Sequence, residues 1–227
     1  MCIRDSLATA LLATSSSAWG NDAPSPAASP EVHASETQEA PKTVDELLAR
    51  LKKMQGLSAR FEERKTIALL AAPLVNRGHV RFHPPQHLLR SVEEPSPSAV
   101  LLSGDDIWVS ENGTFEHIDL HAHPAARSFA GSFRALLAAD RPALDTHFAL
   151  SLDVDEAGGW TLQLSPRTDA MKKLITKMTI RGSADKVRQL VIEEATGDLS
   201  DTRFFDVDTQ YSHSAEEVER YFAVPHV

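Results

Sequence analysis

Ala99-Val100-Leu101-Leu102-Ser103-Gly104-Asp105-Asp106-Ile107-Trp108-Val109-Ser110-Glu111-Asn112-Gly113-Thr114-Phe115-Glu116-His117-Ile118-Asp119-Leu120 consists of short apolar-rich runs parted by two turn sequences. Gly104-Asp105-Asp106 and Glu111-Asn112-Gly113 are those turns, since glycine and asparagine tolerate the left-handed backbone a short hairpin needs. Strands joined so tightly must run antiparallel, because parallel pairing needs a crossover of roughly a dozen residues or more. The stretch therefore predicts a meander of Ala99 to Ser103, Ile107 to Ser110 and Thr114 to Leu120.

The reading extends in both directions. Upstream, Val80 and Phe82 alternate with His79, Arg81 and His83 until Pro84-Pro85 breaks the ladder, and Leu88 to Glu93 follows. Downstream of Gly158-Gly159, Trp160, Leu162 and Leu164 alternate with Thr161, Gln163 and Ser165. Met178 and Ile180 alternate with Lys177, Thr179 and Arg181, and Leu190 and Ile192 with Gln189, Val191 and Glu193; Thr202 to Gln210 makes a last long strand. Helices punctuate these runs. Thr43 and Glu46 read as a capping box ahead of Val44, Leu47, Leu48, Leu51 and Met54, with Gly56 as the stop. From Ala125 to about Asp140, helical spacing puts Phe129, Phe133, Leu136 and Leu137 on one face. Ser214 and Glu217 cap a final helix, Ala215 to Phe222. About ten antiparallel strands cannot stay flat. The fold class is thus α+β, a curved antiparallel sheet forming an open (half) β-barrel covered by lid helices, with room for an apolar cavity between.

Around this domain, residues 43–227, lie two other segments. Residues 1–20 read as an export signal shortened at its start: Arg4, the apolar Leu7 to Ala13, and the small-x-small site Ala18-Trp19-Gly20. Residues 21–42 read as a disordered linker of Ala, Ser, Pro and Glu. The net charge of the 227 residues is −9. Asp22, Glu31, Glu36 and Glu39 against Lys42 account for −3 of it in the linker, which leaves −6 on the domain. An acidic domain has no general attraction for phosphate backbones, which argues against nucleic acid as a partner. The lone Cys2 precedes the apolar stretch instead of following it as a lipid anchor would. A single cysteine also excludes a disulfide framework and a Cys-rich zinc site. No run approaches the roughly 18 apolar residues of a membrane-spanning helix.

Catalytic signatures are missing from the sequence: it holds no Gly-x-Ser-x-Gly elbow, no Cys-His pairing, no phosphate loop and no dinucleotide fingerprint. The acidic pairs Glu62-Glu63, Glu93-Glu94 and Asp105-Asp106 read as solvated faces. His117, Asp119, His121 and His123 share a strand face and could hold a metal; the blander reading, a solvated face running into Pro124, is preferred. The chain therefore reads as a binding protein and not an enzyme, with no cofactor expected. A metal-dependent hydrolase built on the His117 strand is the weakest of three functional readings.

From Leu57 to Val224 the chain resembles the periplasmic outer-membrane lipoprotein carriers, the LolA family. The matching pieces are Leu57-Ser58-Ala59-Arg60-Phe61-Glu62 after the first helix, Gly78-His79-Val80-Arg81-Phe82-His83-Pro84-Pro85, and Val100 to Val109. Further pieces are Trp160-Thr161-Leu162-Gln163-Leu164-Ser165-Pro166, the basic strand Lys172 to Arg181, Thr202-Arg203-Phe204, and Tyr221-Phe222-Ala223-Val224-Pro225. The resemblance implies an unclosed barrel whose helical lid covers an apolar cavity. It also implies a periplasmic monomer that takes acylated lipoproteins from an inner-membrane ATP-driven exporter to an outer-membrane acceptor. Lipid-binding candidates are Phe61, Val80, Phe82, Leu88, Trp160, Leu162, Met178 and Ile180 on the sheet, under Phe129, Phe133, Leu136 and Leu137. Two positions depart from the family pattern. Pro84 stands where these carriers commonly have the arginine that latches the lid, and Arg90 where an aromatic is common, so the lid mechanism does not carry over. The stretch Ile67 to Asn76, with Pro73, is also atypical and points to a divergent relative whose cargo is another lipid or lipid-linked product. The competing reading is a lipid- or lipoprotein-sensing regulatory module on the same half-barrel.

Overall fold

The structure is a computed structural model that describes residues 40–104, 106–111, 113–120 and 124–223, with only the backbone described at 124–126. The export signal, the linker up to residue 39, His121, His123 and Val224-Pro225 lie outside the described residues.

Eleven strands form one antiparallel sheet. They are β1 (Leu57–Thr66), β2 (Leu74–His83), β3 (His87–Glu94), β4 (Ser98–Ser103), β5 (Asp106–Glu111), β6 (Thr114–Ile118), β7 (Phe148–Val154), β8 (Gly159–Pro166), β9 (Ile175–Ser183), β10 (Lys186–Glu194) and β11 (Leu199–Asp208). Their order is β6-β5-β4-β3-β2-β1-β11-β10-β9-β8-β7, so first and last strands pair in the middle while β6 and β7 are free edges. The sheet is open, as the sequence leads one to expect. The chain runs from one edge to the other through α2 (Pro124–Leu137) and α3 (Arg141–His147), which must cross the concave side. The remaining helices are α1 (Val44–Leu51), α4 (Asp169–Lys172) and α5 (Ala215–Phe222).

The predicted meander is present as β4, β5 and β6, and its turns have the anticipated geometry: φ is 61° at Gly104 and 89° at Gly113. β7, α3 and α4 are additions to the sequence reading. The first helix is shorter than expected, ending at Leu51 ahead of Gly56, and its capping box is half formed. Thr43 Oγ1 accepts the Glu46 amide at 3.1 Å, whereas the Glu46 carboxylate accepts from Lys42 N at 2.7 Å. The stretch after β1 is a loop, residues 67–73, in which Leu69 is 94% exposed.

Two apolar clusters fill the concave side. One joins Leu47, Leu48, Phe129 and Leu144 to Trp160, Leu162, Leu164, Met178, Ile180 and Ile192; the other joins Ala130 to Phe82, Leu88, Val100, Leu102 and Ile107. Phe133 packs against both, so α2 bridges the two clusters. A third cluster sits on the convex face, where Phe222 of α5 meets Leu89, Leu101 and Trp108. Close approach explains Gly182 on β9: a Cβ there would lie 2.3 Å from the ring of Trp160, its cross-strand partner.

Candidate functional site

Between α1, α2 and the concave face lies a cavity of about 170 Å³. Val80, Leu88, Trp160, Leu162 and Ile180 line it from the sheet, and Phe129, Phe133, Leu136 and Leu137 from α2. Nine of the twelve residues singled out from the sequence thus meet at one cavity. Phe61, Phe82 and Met178 point to the same inner side but do not reach it. The Arg90 guanidinium covers the Phe61 ring at 4.4 Å. Phe82 is used up in packing with Leu88, Val100 and Ala130, and Met178 in the cluster with Leu164 and Ile192.

Trp160 is fixed by its indole N–H, which donates to Ala184 O at 3.0 Å in the β9–β10 turn. Ring-to-ring contact holds the lid pair Phe129 and Phe133 together, their centroids 5.5 Å apart. The lid is also tied to the sheet, since Arg134 Nη1 donates to Gly104 O at 2.9 Å in the β4–β5 turn. Pro84, which the resemblance places at the family's latch, lies in the turn after β2.

The sequence reading missed further lining residues, of two kinds. Apolar ones are Leu51 and Met54 at the end of α1, Leu57 and Ala59 of β1, and, from β10 and β11, Val187, Leu190, Ile192, Phe204 and Val207. Leu190 and Ile192 were legible as a strand face, but β11 could not be read by alternation. Its pairing with β1 shifts between Ser58 and Arg60, and Asp206 takes φ 51° at that irregularity. The extra residue flips the side-chain parity, so that Phe204 and Val207 both face inward while Phe205 is 46% exposed. Aspartate is among the few side chains that tolerate this backbone, and Arg60 Nε donates to its carboxylate at 2.6 Å.

Polar groups make up the second kind. Glu63 is not on a solvated face: it is fully buried, accepting Arg90 Nη2 and Asn76 Nδ2 at 2.9 Å each. Burial pushes the Arg90 guanidinium below its usual range, and the Glu63 carboxylate opposes that. Beyond them, Lys65 and Glu194 form a second buried pair at 2.9 Å. These pairs close the end of the half-barrel near the β1–β2 loop. Removing one partner of such a pair typically costs about 3–5 kcal/mol, since the other charge stays buried. Arg90, in place of an aromatic, is therefore part of a neutral plug.

Of the four metal candidates, His117 and Asp119 lie among the described residues and His121 and His123 do not. His117 Nε2 meets Asp106 Oδ1 at 2.8 Å, and its ring lies 4.7 Å from Trp108. Among the described residues no group of three or more His, Cys, Asp or Glu side chains could hold an ion.

Residues 37–219 match the family described as outer membrane lipoprotein carrier protein LolA-like. No curated protein matches the chain. Similar solved structures include a LolA superfamily protein of Nitrosomonas europaea, 12% identical over 78% of this chain and 96% of that one, with a TM-score of 0.44. A putative outer membrane lipoprotein-sorting protein domain of Vibrio parahaemolyticus is 11% identical over 80% and 96%, with a TM-score of 0.48. The Pseudomonas aeruginosa MucA/MucB complex contains a chain 12% identical over 77% of this one and 60% of its own length, with a TM-score of 0.48.

Proposed function

The chain belongs to the outer membrane lipoprotein carrier protein LolA-like family, and on that footing we propose that it is a periplasmic carrier that shelters acyl chains, of a lipoprotein or another lipid, between inner and outer membranes. One observation carries this reading: the apolar cavity left between α2 and the concave face. A helix serving only to fill a core would close on the sheet, because empty space forfeits packing. In this reading the acyl chain is bound by the nine candidate residues that line the cavity, together with the β10 and β11 side chains. The partners are an inner-membrane ATP-driven exporter and an outer-membrane acceptor, and the carrier acts as a monomer.

The cavity's size fixes what the present state can hold. Its 170 Å³ is close to that of engineered cavities of about 150 Å³ that admit one benzene. A complete acyl chain is larger, so loading requires α2 to rise, breaking the Arg134–Gly104 bond. Each buried methylene returns about 0.8 kcal/mol, so a chain of ordinary length outweighs that loss and still leaves when an acceptor offers more.

The test is native mass spectrometry with lipid extraction on the protein purified from a Gram-negative periplasm. Lipid or acylated protein should co-purify, and Phe133→Glu or Leu137→Glu should abolish it while circular dichroism stays that of a folded sheet. A protein that is empty, and that also fails to take up fatty-acyl probes, would overturn the carrier in favour of the regulatory module.

A further inference from the structure

A second recess, of about 410 Å³, adjoins the cavity, with Leu51, Met54, Asp185 and Thr209 lining both. Its other walls are Arg50, Lys53 and Gln210, which makes it polar where the cavity is apolar. Arg50 Nη1 is buried with no hydrogen-bond partner, and among the described residues neither Arg50 nor Lys53 has a carboxylate partner. The one acidic side chain of the recess, Asp185, already accepts Thr209 Oγ1 at 2.9 Å.

Basic residues at the end of a helix often serve only to meet its last carbonyls. Here backbone donors do so: Lys52 N binds Leu48 O, Lys53 N binds Arg50 O and Met54 N binds Leu51 O. The two cations are left over from the helix's own needs. A buried guanidinium N–H without an acceptor is costly unless something supplies one.

We propose that this recess binds the anionic head, carboxylate or phosphate, of a lipid whose chain enters the cavity past Leu51 and Met54. Two donors of like charge beside an apolar opening fit an amphiphile charged at one end. An ester- or amide-linked acyl chain, as on a lipoprotein, presents no charge at that point. The assignment rests on the carrier reading and narrows its cargo to anionic single lipids.

The full chain is titrated with oleoyl lysophosphatidate, with monooleoylglycerol, which has the same chain and no charge, and with inorganic phosphate alone. Lysophosphatidate should bind about tenfold or more tightly than monooleoylglycerol, with the preference shrinking as salt is added. Substituting Arg50→Gln and Lys53→Gln together should erase the preference and leave monooleoylglycerol binding unchanged, which also certifies the fold. Equal affinity for both lipids in the unaltered protein would overturn the head-group site while leaving the carrier intact. Inorganic phosphate binding as tightly as lysophosphatidate would make the recess a free-anion site and overturn the lipid assignment. Failure to bind either lipid would remove the carrier reading and this proposal with it.

Discussion

Two helices pack on opposite faces of one sheet, and they do so differently. On the convex face α5 is held by its cap and by its buried end. Ser214 and Glu217 complete a reciprocal capping box, Tyr211 donates to Glu217 at 2.7 Å, and the Arg81 guanidinium lies 4.3 Å from the centre of the Tyr221 ring. Phe222 is only 4% exposed, among Leu89, Leu101 and Trp108 and against the rings of His83, His87 and His213. On the concave face α2 buries more, Phe129, Ala130 and Ala135, yet leaves about 170 Å³ beneath. Aromatic content does not separate the two sides; completeness of packing does. The end of α5 packs without a void, whereas α2 covers a cavity.

The contrast breaks most sharply at Phe222. Phe222→Ala should cost about 3–5 kcal/mol in denaturant unfolding, because a close-packed site cannot collapse around the void. Acyl-probe affinity of the fraction that remains folded should not change. A loss below 1 kcal/mol would mean that α5 is no better packed than α2.

A smaller effect is expected at Arg134. Arg134→Ala should lower stability by about 1.5–3 kcal/mol, as for a hydrogen bond made by a charged donor. The same change should speed amide exchange in α2 selectively, leaving α5 as protected as before. Equal acceleration in both helices would show that the bond supports the whole domain and not the lid.

The smallest effect sharpens the convex side alone. Burial, and then the neighbouring His83, hold the His87 imidazole below its ordinary range. The unfolded chain therefore binds this proton more readily than the folded one. The corresponding stability is present above the ordinary imidazole value of about 6.5 and is lost as the pH falls through it, levelling off once folded His87 also takes the proton. Melting curves from about pH 7.5 to about pH 5 should show this slope, and His87→Gln should flatten part of it. An unaltered slope would assign the dependence to other groups.

Where the sequence was legible, local rules and tertiary structure agreed. Glycine turns announced the β4–β6 meander. The box of Ser214 and Glu217 marked α5 at the residues where it stands, Ala215 and Phe222. α3 and α4 escaped because seven and four residues are too short for a helical period to declare itself. At the site, alternation located Val80, Trp160, Leu162 and Ile180 but failed across β11, where the irregularity at Asp206 resets the count. The buried plug was illegible for a different reason. Glu63 and Arg90 lie 27 positions apart in sequence, and nothing local tells a charge that meets its partner inside from one that meets water.

The route of the chain between β6 and β7 constrains how the cavity can open. A segment tethered to both rims of the sheet is a bowstring and not a hinged door. It cannot swing clear, so the tension it carries and the curvature of the sheet are one variable. Admitting a long occupant must either slacken the string or flatten the bow, and in both cases the separation of the two edge strands records the load.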